Sequence, residues 1–442
     1  MTRRKKRWLC ILLSMLCLGL GGCMFKTVDE MYALPRRSEE YNNLQSAIDG
    51  VLEGSDYCAP VSGDNQQAVQ MADLNGDGTS EVLVFARGGG ERPLRIFVFH
   101  QITDAYEHLA TLEGDGIAFS QVEYVQMDEN PGLELVVGRQ ISGEIPGSVA
   151  VYSFDDGTAQ QLLSTSYYQF VTADFNGDGK SGLAVLRAGA DEGVGVAELY
   201  TFEQGLTQRS VEAQMSVPVR NIKRIVVGNM CEGTPAVFVA STFEENALVT
   251  DVFTVLGGQF VNVSLSNESG TSIQTVRSYY VYADDIDDDG IIELPSVQGF
   301  LPPPEGAVLV DNPYLIQWYN LQTDGTQVEK MTTYHSFTGG WYVRLDPAWQ
   351  TGIFVTRDMD MVGNQGYVFS CRDESDGSTR ELFAIYARSG DQSLEGLIKL
   401  AQKDDVVYAA QVLEGGAELG MTEDTLKDCF KFIQVDWKTG ET

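Results

Sequence analysis

A nine-position loop that recurs at intervals near fifty residues constrains this chain more than any other feature. The loops begin at Asp73, Gln126, Asp174, Gly228 and Asp285, so the intervals are 53, 48, 54 and 57 residues. Each lies between two apolar runs rich in Val, Ile, Tyr and Phe. A period of that length leaves room for about four strands of five or six residues. In the first repeat these are expected at Ala68 to Ala72, Glu81 to Ala86, Leu94 to Phe99 and His108 to Leu112. A four-stranded sheet has two faces to bury and cannot bury both alone, whereas sheets stacked radially as blades can. The expected fold is therefore mainly β: a β-propeller of about five to seven four-stranded blades over residues 56–345. A linear β-solenoid competes, but its repeats are usually much shorter.

Two of the loops have the composition of a cation site. In Asp73-Leu-Asn75-Gly-Asp77-Gly78-Thr79-Ser-Glu81, side-chain oxygens stand at positions one, three, five and nine. With the backbone carbonyl of Thr79 at position seven they can wrap one hard cation, and Gly78 permits the sharp turn. Asp285-Ile-Asp287-Asp288-Asp289-Gly290-Ile291-Ile-Glu293 repeats the arrangement, with Ile291 offering the carbonyl. Asp174, Asn176, Asp178 and Lys180 form a weaker third set, because Gly182 stands where the last acid belongs. The loop at Gln126 keeps Asp128, Asn130 and Glu134, and the one at Gly228 keeps little beyond Glu232; both are expected to be metal-free turns of the same backbone shape. An Asp/Asn/Gly turn that caps its own backbone without an ion is the alternative for every loop. An EF-hand is excluded, since its twelfth position falls on Val84 and Ser296 and an apolar β-run follows each loop.

Loops of the form D-x-[DN]-x-D-G-x-x-[DE] between two strands resemble the FG-GAP or VCBS repeat of integrin α-chain N-terminal propellers and many bacterial surface proteins. The resemblance covers roughly residues 60–300 and is specific in the loops at Asp73 and Asp285. It implies a propeller with structural Ca2+ at the blade edge.

The N-terminus points outside the cytoplasm. A basic Met-Thr-Arg-Arg-Lys-Lys-Arg start and an apolar stretch from Trp8 to Leu20 read as an export signal over residues 1–22. Leu20-Gly21-Gly22-Cys23 resembles the lipobox of bacterial lipoproteins, which implies lipidation of Cys23 and a membrane anchor. Removing residues 1–22, with five basic and no acidic side chains, lowers the formal charge from -33 to -38. Nucleic acid is a poor partner for so acidic a chain. Cys58, Cys231, Cys371 and Cys429 remain, too dispersed for a zinc site; long-range disulfides and buried thiols both stay open.

Residues 23–55 are expected to form a lipidated tether and a short helix, with Tyr41, Leu44, Ile48 and Leu52 at helical spacing. Leu301-Pro302-Pro303-Pro304 marks a protruding loop. Residues 346–442 are expected to form a small α+β domain, or to supply a sixth blade. Strand-like runs there lie at Gly352 to Val355, Tyr367 to Cys371 and Leu382 to Ala387, and helical patterns at Leu394 to Lys403 and Thr422 to Ile433.

No GxSxG or HExxH occurs, Gly179-Lys180-Ser181 lacks the leading glycine of a phosphate loop, and His100, His108 and His335 are isolated. The sequence thus points to a non-catalytic module, presenting loops to a protein or glycan at the cell surface. An envelope enzyme acting on polysaccharide and an assembly or chaperone lipoprotein are the alternatives.

Overall fold

The computed structural model describes residues 39–433, apart from 104, 144–146, 191–192, 204–205, 246, 301, 351, 359–364, 374 and 390–392. The expected signal peptide, Cys23 and the tether lie outside the described residues. Among the described residues no helix is long and apolar enough to cross a membrane.

The chain is mainly β, and its described strands form six antiparallel sheets. The first holds Val69–Ala72, Glu81–Gly88, Leu94–Ile102 and Ala105–Gly114, with Ser55–Tyr57 added beside Glu81–Gly88. These match the four strands expected for the first repeat. The second sheet runs Ala118–Val125, Glu134–Gln140, Gly147–Ser153, Gln160–Tyr167, and the fourth runs Ile222–Cys231, Thr234–Phe243, Ala247–Leu256, Gln259–Asn262. In the third, Gln169–Ala173, Gly182–Ala188, Gly195–Glu203 and Leu206–Arg209 follow in order.

Central strands are apolar at consecutive positions because both faces are covered. In Glu81–Gly88, Leu83 and Phe85 pack with Phe119, Val122, Leu135 and Val137 of the second sheet. The alternate residues Val82, Val84 and Ala86 pack under helix Glu39–Val51, against Ile48 with Leu44 and Leu52 at its edge. The pattern repeats down the chain. Val136, Val149 and Val151 meet Leu183 and Val185 of the third sheet. Ala184 and Leu186 meet Val237 and Val239 of the fourth, and Phe238 and Val252 meet Leu294 and Tyr319 of the fifth. Each large side chain fully buried in these layers contributes about 1.5–3 kcal/mol.

Backbone hydrogen bonds between the recurring loops add direction to these layers. The Leu133 amide donates to the Asp73 carbonyl at 3.1 Å, and the Ser181 amide donates to the Gln126 carbonyl at 2.7 Å. Each time, position eight of one loop is tied to position one of the loop before it. The loop at Asp285 does the same with a one-residue shift, Ile292 donating to the Asn229 carbonyl at 2.8 Å.

The fourth repeat departs from the expected shape. Gly228 and Cys231 lie within strand Ile222–Cys231, which turns through Glu232 and Gly233 straight into Thr234–Phe243. With neither an Asp at its first position nor a Glu at its ninth, where Ala236 stands, nothing holds a nine-residue loop open, and the ladder runs on to the turn.

Strands Leu294–Gly299, Tyr314–Leu321, Gln327–Ser336 and Trp341–Leu345 make the fifth sheet, and Phe430–Phe432 pairs onto Trp341–Leu345. Pro302 to Pro304 fall in the connection between its first two strands, which reaches the sixth sheet through a bridge between Leu309 and Thr356. The sixth sheet contains Ile353–Asp358, Gln365–Arg372, Thr379–Ser389, Val406–Val412 and Ile398–Lys403. The last of these corrects the helical reading of Leu394 to Lys403. A turn at Asp404, with φ of 54°, folds Ile398–Lys403 back on Val406–Val412, and sheet pairing overrides the helical spacing. The pattern at Thr422 to Ile433 is a helix only over Glu423–Cys429, capped by Thr422. Short helices accompany this sheet, and its core is continuous with the fifth: Tyr334, Trp341 and Val343 pack with Val355, Phe369 and Phe383. Cys58, Cys231, Cys371 and Cys429 are all free thiols.

Gly76 shows how close the loop junctions are. Its φ is 73°, and a Cβ there would stand 2.5 Å from the Pro131 ring and 2.7 Å from the Gly132 nitrogen. Gly76→Ala is expected to destabilise the chain by about 1–3 kcal/mol, read as a lower midpoint in urea unfolding. An unchanged midpoint would show that the loops do not hold the first two sheets together.

Candidate cation loops and a polar cleft

The glutamate at position nine organises the recurring loops. Glu81, Glu134 and Glu293 are 2%, 1% and 0% exposed, at the start of or just before the strand that follows each loop. Each accepts the amide of position two: Leu74 at 2.9 Å, Met127 at 2.7 Å and Ile286 at 3.1 Å. Burial raises all three above the usual carboxyl range, Glu134 and Glu293 to about 7, and neighbouring aspartates add to the shift. In the third loop Phe175 and Leu199 fill that space. A Cβ on Gly182 would come within 2.8 Å of Leu199 and 3.3 Å of Phe175, so no acid fits.

The first aspartate shapes the turn. Asp73 accepts the amides of Gly76 at 2.8 Å and Gly78 at 2.9 Å, and Asp77 accepts that of Thr79 at 2.7 Å. Asn75 donates through Nδ2 to Glu81 at 3.0 Å and to Asp77 at 3.3 Å. Asp174 likewise accepts Gly177 and Gly179, Asn176 donates to Asp178, and the Lys180 amide donates to Asp178. The Lys180 ammonium points away to Glu129, 3.1 Å distant.

In the fifth repeat, carboxylate oxygens of Asp285, Asp287 and Asp289 gather within 4.8 Å of one another. Asp285 accepts the amides of Asp289 at 3.0 Å and Gly290 at 2.8 Å, and Asp289 accepts that of Ile291 at 2.9 Å. Asn320 donates to Glu293 at 2.6 Å. These all-oxygen sets suit a hard cation such as calcium in kind. Lys330 alters the fifth loop, since its ammonium bonds Asp289 and lies 3.3 Å from Asp287. That bond holds the Asp289 carboxyl below its usual range. A positive side chain from strand Gln327–Ser336 thus already neutralises two of the acids, which the loop's own sequence does not reveal.

A second feature lies where the first strands of the second, third and fourth sheets meet the segment that leads into Val69–Ala72. Residues 61–64, Gln66, Gln121, 169–171 and 222–225 line a cleft of about 800 Å³. A second hollow of about 370 Å³ adjoins it through shared Ser62, Gln121 and Gln169, and adds Gln140, Ser142 and Tyr168. Tyr168 is 42% exposed. Its neighbour Tyr167 is fixed instead, hydrogen-bonded to Ser120 and stacked edge-on to Phe170. Lys223 and Arg224 bring positive charge, and Arg224 pairs with Asp284 at 3.2 Å.

No protein-family model matches the chain, and no curated protein matches its sequence. Among solved structures it is similar to exotype rhamnogalacturonan lyase YesX at 11% identity and a TM-score of 0.31, over 81% of this chain and 72% of that one. Rhamnogalacturonan lyase PL11 of Bacillus licheniformis gives 10% identity and 0.31, over 74% and 72%. An α-L-arabinanase of Penicillium chrysogenum gives 10% and 0.24, over 81% and 97%. Likeness at this level assigns no activity.

The raised glutamates set a sign for pH dependence. The native state holds their protons more tightly than the unfolded chain, whose carboxyls titrate near 4.5. The stabilisation is complete below that pH and is lost as pH rises through about 7. In EGTA, the unfolding midpoint is therefore expected to fall between pH 5 and pH 8, and less steeply in Glu293→Gln. A flat profile in both proteins would contradict the burial of these carboxyls.

Proposed function

We propose that this chain is a membrane-anchored, extracytoplasmic lipoprotein whose β-propeller is a binding module for glycans. The six sheets act as its blades, and the first strands of the second, third and fourth face a common cleft with the segment that precedes Val69–Ala72. That convergence supports the radial arrangement. Calcium at the loop of Asp73, Asn75, Asp77 and Glu81 would supply a structural charge that pins two strands of one blade.

The observation that carries the glycan reading is the exposed Tyr168, which lines a hollow together with Ser62, Gln121, Gln140 and Gln169. Neutral amides and hydroxyls both donate and accept hydrogen bonds, as sugar hydroxyls require, and an aromatic face stacks on the apolar face of a pyranose. Convergent polar groups in a concave site set orientation and specificity. The raised carboxyls sit in separate loops rather than together in this cleft, so they do not favour acid–base cleavage of a bound glycan.

Calorimetry of the chain from residue 24 against neutral and acidic cell-surface oligosaccharides tests the reading. At least one is expected to bind, with Tyr168→Ala weakening it about tenfold or more, a loss of about 1.4 kcal/mol, at an unchanged unfolding midpoint. Binding that ignores Tyr168, or no binding across the panel, would overturn it. For the anchor, Cys23→Ser is expected to release the protein from the membrane fraction of a bacterial host. Retention in that fraction would overturn the lipoprotein reading.

A further inference from the structure

The second sheet gathers three carboxylates that no single loop supplies. Asp128 and Glu134 come from the loop between Ala118–Val125 and Glu134–Gln140, and Asp155 comes from the hairpin that follows Gly147–Ser153. In an antiparallel meander both turns emerge at the same end of the sheet. One oxygen from each residue lies within 4.8 Å of the other two.

Acidic clusters are common on surfaces, but this one differs in two respects. Asp128 and Glu134 are 3% and 1% exposed, so water screens their charges poorly. Glu134 uses Oε2 to accept the Met127 amide, while Oε1, equally buried, has no hydrogen-bond partner. Asp128 and Asp155 are partnered by neutral donors: the Asn130 amide at 2.7 Å, its Nδ2 at 3.1 Å and 2.7 Å, and the Ser153 hydroxyl at 2.8 Å. Among the described residues no lysine or arginine forms a salt bridge to any of the three. The nearby Lys180 is turned to Glu129. In the fifth repeat the comparable acids have Lys330, whereas here no described cationic side chain pairs with the three carboxylates.

A buried, unpartnered oxygen on a carboxylate that gathers with two others is the arrangement that a bound cation resolves. We propose that Asp128, Glu134 and Asp155 bind one hard divalent cation, with calcium as the best fit. All donors are oxygens, which disfavours soft metals, and their placement on two separate turns suits the tolerant geometry of calcium over the strict octahedron of magnesium. Turning the Asn130 amide over on binding would exchange its donations to Asp128 and Asp155 for a fourth oxygen donor. The bound ion ties the loop to the hairpin across one end of the second sheet. The site stands on these residues alone and is independent of both the glycan reading and the loops at Asp73 and Asp285.

Calorimetry with calcium chloride on the chelator-stripped chain from residue 24 tests this, with thermal unfolding alongside. Asp155→Asn and Glu134→Gln are each expected to weaken one calcium-binding event at least tenfold and to shrink the calcium-induced rise in midpoint. Asp156→Asn on the same hairpin and Asp285→Asn in the fifth repeat should leave that event unchanged. Asp155 is only partly buried, so its variant keeps the test open if Glu134→Gln does not fold. Absence of calcium binding in the parent, or binding insensitive to both variants, would overturn the proposal. Since Tyr168 is no part of the site, loss or retention of glycan binding does not bear on the outcome.

Discussion

Everything in this fold depends on how one sheet is joined to the next. Apolar faces supply most of the adhesion, but such contacts are non-directional and leave the angle between sheets loosely specified. The recurring loops supply direction, with Leu133 tied to Asp73 and Ser181 to Gln126 by backbone hydrogen bonds. A loop makes that bond only if its backbone is held open in one shape. The holding is done by an aspartate that collects turn amides and by a glutamate that reaches back beneath the loop to the amide of position two. Where both acids are missing, at Gly228 and Ala236, the loop collapses into a two-residue turn.

This accounts for much of the acidity. Four of the five repeats place carboxylates where backbone amides converge, a use that needs their lone pairs more than their charge. The charge must then be balanced, and the repeats do so differently. Burial raises Glu81 and Glu293 toward the neutral form, and Lys330 neutralises Asp287 and Asp289. In the second repeat burial raises Glu134 in the same way, but Asp128 and Asp155 have neutral partners only, and the proposed cation would balance them.

The strand pattern was legible because period and burial coincide. The runs around Asp73 and the helix of Leu44, Ile48 and Leu52 lie where local spacing places them. Local spacing misled at Leu394 to Lys403, where pairing with Val406–Val412 overrode a helical pattern. The sites were harder to read because their parts are distant in sequence. Asp155 lies outside the nine-position window, so the loop at Gln126 looked depleted. Lys330 lies well beyond the loop it enters, so the loop at Asp285 looked like a clear cation site. The cleft draws on residues from 61 to 225, and no motif links them. Tyr168 carries no local signal beyond being the second of two tyrosines, of which only Tyr167 is buried.

The most direct measurement of the loop junctions is native-state amide exchange, followed at Leu133, Ser181 and Ile292 and compared with the exposed turn at Asp156 and Gly157. If the junctions hold the sheets in register, these three amides exchange only with the opening of the central strands, orders of magnitude more slowly than the turn. Exchange as fast as that of the turn would mean that the loops merely decorate sheets held by their apolar faces alone.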